Sequence, residues 1–289
     1  MKESKAGIWL MVAATVAIAA LDGLRKGLSS EVSLSLIIGV RYLAFIVLIC
    51  FWRRSWRGLP VLRTRHPYLQ AMRSVIMFVE TVTFVVALTY ATLADSNAVF
   101  ALSPVIGVVF ARLFLAERVE WMTWLAVGLS LVGVVLILRP SGESTVFGLV
   151  FALVSAVLYA SYGTLTRRVS DTDTPQTSFA YMTLIGALLS GVLFVVQTPS
   201  MTDVAPGDGT MLVLAAVAAA AGQILLIQAY SRATAQSLQP YNYLLFVWSA
   251  LISAFLFTAP PSLETLIGAA LIIIPNILIM TRPKKLAHG

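Results

Sequence analysis

The stretch MFVETVTFVV, residues 77–86, surrounds one carboxylate, Glu80, with apolar side chains. Extended to residues 69–91, the run is long enough to cross a bilayer, which needs about 20 mostly apolar residues. An acid at the middle of such a run costs about 2.5 to 3.5 kcal/mol to insert, so it rarely faces lipid. The reading of this segment as a membrane span therefore carries a second expectation, that Glu80 has a partner or a task.

The rest of the chain has the same character. Of its 289 residues, 59% are hydrophobic and only 11% charged, with a mean hydropathy of +0.89. A soluble domain carries roughly a quarter charged residues. Ten segments qualify as spans: 7–24, 33–52, 69–91, 95–115, 120–138, 146–166, 176–197, 210–230, 237–258 and 262–281. The expected class is an all-α integral membrane protein with ten transmembrane helices. The apolar N-terminus reads as a retained first helix because further spans follow it at regular intervals.

The net charge of +7 reflects orientation in a bilayer and not nucleic-acid binding. With the N-terminus cytoplasmic, fourteen Lys and Arg residues fall on the cytoplasmic side, three on the other side (Arg25, Lys26, Arg139) and three within spans (Arg41, Arg73, Arg112). The positive-inside rule then predicts both termini in the cytoplasm; the expected location is a bacterial-type plasma (inner) membrane. The longest outer loop, TPSMTDVAPGDG, carries Asp203 and Asp208 and no cation.

A shift of about 140 residues overlays the hydropathy pattern. Gly7 meets Gly148, Tyr90 meets Tyr230, Gly128 meets Gly268, and Arg139-Pro140 meets Arg282-Pro283. The expected organisation is a five-span repeat at 1–141 and a second at 142–289. Five is odd, so the second copy is inverted. Inverted repeats suit alternating access with a site at their interface.

The run ALTYATLADSNAVFALSPVIGVVFARLFLAERVEWMTWLAVGLSLVGVVLILRP, residues 87–140, resembles the EamA module of the drug/metabolite transporter superfamily. The features that carry the likeness are AL-x-Y at the end of the third span, Ser103-Pro104, FLAER at 114–118 and the Gly-rich fifth span ending in Arg-Pro. The second copy departs from it: its counterpart of FLAER reads FLFTAPP, residues 255–261, without an acid to match Glu117. The resemblance implies a secondary transporter, with amino-acid export as the leading reading. Uptake of riboflavin or S-adenosylmethionine, known among relatives, is the alternative. ALDGLRKGLS (20–29) and VRYLAF (40–45) look like the amino-acid and S-adenosylmethionine branches.

Glu80 lies about 16 Å into its span, near the midplane. Thr83, Phe84, Ala87 and Ala91 share its helical face. Arg41 lies about 12 Å below the opposite rim, and an ion pair between the two would satisfy both. Such a pair is a gate, a substrate contact or a static staple. The expected binding set adds Tyr159, Gln223, Asn242 and Trp248, polar or amphipathic groups at middle depth. For Asn276, helix-to-helix hydrogen bonding is the preferred reading. Asp22 and Lys26 read as a solvated i,i+4 pair at the rim.

Other chemistries lack their residues. There is no GxxxxGK[ST] loop, no GxSxG elbow and no His/Cys cluster; His66 and His288 both lie outside the spans. No cofactor or metal is expected. A membrane enzyme would need a nucleophile–base pair, and a channel would need a continuous polar stripe. The expected partners are a small-molecule substrate, an amino acid or related metabolite, and the lipid bilayer.

Overall fold

The computed structural model describes residues 5–52, 62–114, 121–138, 144–170, 172–198, 205–232 and 238–280. Among these residues every regular element is helical. The helices are α1 (Lys5–Leu28), α2 (Leu34–Trp52), α3 (Pro67–Tyr90), α4 (Leu93–Phe100), α5 (Ser103–Phe114), α6 (Trp121–Ile137), α7 (Val146–Ser170), α8 (Pro175–Gln197), α9 (Pro206–Arg232), α10 (Leu244–Leu256) and α11 (Leu263–Met280). A 3-10 turn, Gln239–Tyr243, leads into α10. Seven spans are long and apolar enough to cross a membrane, and three shorter apolar helices accompany them. The chain is an integral membrane protein. Glu117 and Arg118 of the FLAER element, Asp203, and the two Arg-Pro landmarks lie outside the described residues.

Local sequence sets where the helices begin. Thr92, Thr174 and Ser262 cap α4, α8 and α11, their hydroxyls accepting from the backbone N–H three residues on. Pro67 and Pro175 open α3 and α8, where the missing N–H is no loss. Pro104 has the opposite effect. It cannot donate to the carbonyl of Phe100, so the expected single helix at 95–115 divides into α4 and α5 around Ala101–Leu102. The two pieces still make one 22-residue span, Leu93–Phe114.

The helices pair across the two halves of the sequence. α1 packs along α9, α3 along α7, α2 along α8 and α6 along α11. Lesser contacts join α3 to α8, α2 to α9, α1 to α10, and α4 to both α7 and α10. At the α6–α11 crossing, a methyl group on Gly133 would lie 2.5 Å from the Gly268 carbonyl oxygen, and one on Gly268 would lie 2.6 Å from that of Gly133. The two backbones meet there because neither residue has a side chain, the usual device where lipid removes the hydrophobic drive between helices. Asn276, as the sequence suggested, donates across this interface to Ser130 Oγ at 3.1 Å.

Candidate functional site

The polar interior is built on one face of α3. Gln70, Arg73, Glu80 and Thr81 are all buried, as are the apolar Met77, Phe84 and Ala87. Their spacing of three and four residues makes a stripe along a single side of the helix. α7 lies against α3, and small hydroxyl residues on it supply partners.

Glu80 sits just past the midpoint of α3 and is 5% exposed. Its Oε1 accepts from Ser155 Oγ on α7 at 3.0 Å, and its Oε2 accepts from Thr81 Oγ1 at 3.3 Å. Arg41 reaches the same group indirectly. Its Nη1 donates to Thr81 Oγ1 at 2.7 Å, and its guanidinium carbon stands 5.3 Å from the Phe45 ring centre. The direct Glu80–Arg41 ion pair expected from depth is replaced by a shared hydroxyl. The Arg41 side chain spends part of its charge on aromatic faces instead.

Two further charges join this pair. Asp22 and Arg25 of α1 are 4% and 5% exposed and form an ion pair at 3.2 Å. Both lie within electrostatic reach of Glu80 and Arg41. This corrects the expectation of a solvated Asp22–Lys26 pair. α1 extends to Leu28, four residues beyond the expected end, and that extra turn carries Arg25 into the bundle. Lys26 turns away and donates to the carbonyls of Leu88 and Ala91 at 2.7 and 2.9 Å. It thus satisfies acceptors that the last turn of α3 leaves open, where the helix dipole favours a cation. The result is a four-charge cluster from three helices, Asp22, Arg25, Arg41 and Glu80, with equal positive and negative charge.

The other sequence-named residues divide. Thr83 is buried but returns its hydroxyl to the Glu80 carbonyl at 2.9 Å. Phe84 and Tyr159 are linked through Phe100, with ring centres 5.2 Å apart on each side. Tyr159 stays 38% exposed. Trp248 Nε1 donates to Thr15 Oγ1 of α1 at 3.2 Å. Gln223 is half-buried on α9, beside Gly222, which packs on Ile18. Asn242 lies in the 3-10 turn before α10, away from the middle of the span.

Sequence reasoning gave no role to a second polar cluster at the N-terminal end of α3. Arg73, 2% exposed, donates from Nε to Thr166 Oγ1 (3.1 Å), from Nη1 to Gln70 Oε1 (2.7 Å) and to the Ser178 carbonyl (3.3 Å), and from Nη2 to Tyr162 Oη (2.8 Å). Gln70 donates to Asp173 Oδ2 at 2.7 Å, and Thr64 donates to the same oxygen. This clasp binds α3 to α7, α8 and their connection. Burial alone would raise the Asp173 carboxyl, yet the hydrogen bonds from Gln70 and Thr64 outweigh it and hold the group below its usual value. The i,i+3 spacing of Gln70 and Arg73 on the Glu80 face was the available signal.

A pocket of about 180 Å³ opens between the α1–α2 connection and the end of α3, lined by Ser29, Val32, Leu34, Ile37, Val85, Val86, Thr89 and Tyr90. None of the residues of the expected binding set lines it. Its walls are mostly apolar and its place is one end of the bundle.

Comparison with known proteins shows the family. The model of the EamA-like transporter family matches twice, over residues 5–139 and 146–281. An S-adenosylmethionine uptake transporter of Rickettsia felis is 24% identical over 233 residues, 80% of this chain and 77% of that one. A riboflavin transporter of Brucella anthropi is 29% identical over 227 residues, 77% of this chain and 80% of its own length. A pseudopaline exporter of Pseudomonas aeruginosa is 24% identical over 97% of this chain and 98% of its own. A protein crystal structure at 20% identity shares the fold, with a TM-score of 0.68 over 97% of this chain and 100% of that one. These named relatives are transporters, not enzymes. Two family matches together span nearly the whole polypeptide, and the chain belongs to the EamA-like transporter family.

Proposed function

We propose that the protein exports amino acids or closely related metabolites by alternating access. In this reading ten spans form two inverted five-helix repeats, 1–141 and 142–289, with both termini cytoplasmic. The single observation that carries the substrate class is the balanced charge cluster inside the bundle, in which Asp22, Arg25 and Glu80 are buried and Arg41 is half-buried. Charges held in the membrane interior at this expense mark substrate or proton paths.

The repeat reading is supported by the packing. Exchanging the first five spans for the last five turns the α1–α9 contact into α7–α3, and the α2–α9 contact into α8–α3. The α2–α8, α4–α10 and α6–α11 contacts map onto themselves. The double family match supports it as well. Glu80 and Arg41 are the central substrate contacts, with Thr83, Phe84, Tyr159, Gln223, Asn242 and Trp248 around the path. The second reading is uptake of a vitamin or nucleoside-like solute, favoured by the relatives named for S-adenosylmethionine and riboflavin.

Purified protein in proteoliposomes, given a panel of amino acids, riboflavin and S-adenosylmethionine, separates the two. The export reading expects saturable flux of amino acids. Flux of riboflavin or S-adenosylmethionine alone would replace it with the second.

A further inference from the structure

The four-charge cluster leaves buried donors unused on both arginines: Arg41 leaves Nε alone, whereas Arg25 leaves a whole edge of its guanidinium. Arg25 spends Nη1 on Asp22 at 3.2 Å. Its Nε and Nη2 are buried and have no hydrogen-bond partner among the described residues. These two groups form the lateral edge of the guanidinium, whose paired N–H vectors match the two oxygens of a carboxylate. Buried donors are almost always satisfied, and a charged donor left open in a low dielectric is more expensive than a neutral one. Across the cluster, each Glu80 oxygen accepts one side-chain hydroxyl, so the carboxylate retains acceptor capacity.

Charge balance narrows the ligand further. Asp22 and Glu80 offset Arg25 and Arg41, so the cluster is neutral as it stands. A ligand with net charge would leave that charge uncompensated inside the membrane, whereas a zwitterion adds none. We propose that Arg25 is the carboxylate receptor for a zwitterionic substrate. Asp22 fixes the guanidinium with its lateral edge free, and Glu80 takes the substrate's ammonium group. This inference rests on the amino-acid reading above and assigns to Arg25 and Asp22 a role that neither the sequence nor the relatives indicated.

The test uses full-length protein in proteoliposomes. The probes are the panel amino acid with the highest wild-type flux, its α-amide and its N-acetyl derivative. The amide removes the carboxylate, and the N-acetyl form removes the ammonium. Wild type should show a KM for either derivative at least about ten-fold above that for the parent. Arg25→Lys keeps the charge but loses the lateral fork. It should raise the KM for the parent about ten-fold and leave the KM for the amide nearly unchanged. Arg25→Gln should abolish the preference for parent over amide, with folding checked by monodisperse elution. Asp22→Asn should weaken the parent through a misplaced Arg25 and leave the preference over the N-acetyl form intact. Equal KM values for parent and amide in wild type would overturn the proposal. So would an Arg25→Lys protein that keeps the parent's KM or weakens parent and amide alike. If wild type moves no amino acid at all, the amino-acid reading itself fails and this inference with it.

Discussion

At the scale of single residues, Glu80 and Arg41 behave differently from a simple pair. Removing one member of a contacting buried ion pair strands the other at about 3 to 5 kcal/mol. Here Thr81 stands between the two charges, and Ser155 holds the carboxylate from the other side. A glutamine at position 80 can keep both hydroxyl contacts. Glu80→Gln is therefore expected to insert and elute as the wild type does, with a stability loss of about 3 kcal/mol at most, since the hydroxyl contacts remain but the cluster is left with one positive charge in excess. The double change with Arg41→Gln should not restore flux, because the lost function belongs to the carboxylate. Recovery of flux in the double variant would make the pair a structural staple. Depth along the helix was enough to single out both residues from the sequence. The mediating hydroxyl was not legible, because a threonine in an apolar span is unremarkable until its neighbour from another helix is known. Arg25 was missed for a simpler reason. Hydropathy ended the first span at residue 24, and one additional turn moved a loop cation into the interior.

At the scale of elements, the clasp around Arg73 holds the N-terminal end of α3 to α7 and α8. Its bonds link residues 89 to 105 positions apart, which is why a sequence pattern of local spacings could flag Arg73 as intramembrane but not name its partners. Arg73→Gln leaves Tyr162 and Thr166 without their common donor and should destabilise the detergent-solubilised protein by about 3 kcal/mol. The connection supplies a pH dependence. The Asp173 carboxyl is held below its usual value, so its contribution is complete at neutral pH. That contribution is lost as the pH falls below the ordinary carboxylate range, about 4, and through the folded value. Thermal denaturation across this window should therefore be steeper with pH for wild type than for Asp173→Asn. Coincident profiles would remove Asp173 from the clasp. Hydropathy alone does not show the division of the fourth span; Pro104 does, because a proline interrupts a helix, and its missing N–H accounts for α4 stopping at Phe100.

At the scale of the whole molecule, the account requires that successive connections alternate sides. Cys50 is exposed on α2, so it must first be replaced by serine. Single cysteines at His66 and Glu264, both exposed, are then expected to react with a membrane-impermeant thiol reagent from opposite faces of the membrane. His66 should react only from the cytoplasm. Labelling from one face would contradict the inverted five-plus-five arrangement, whatever the substrate. α1 packs along α9 and α3 along α7, and the charge cluster brings Asp22 and Arg25 of the first pair within electrostatic reach of Glu80 in the second. The central claim is that an amino acid crosses the bundle through that cluster and needs the Glu80 carboxylate. Its most direct test is counterflow of a radiolabelled amino acid into proteoliposomes preloaded with the same amino acid, comparing wild type with Glu80→Gln at equal insertion. The account predicts rapid accumulation in wild type and loss of most of it in the variant; accumulation by Glu80→Gln at the wild-type rate would contradict it.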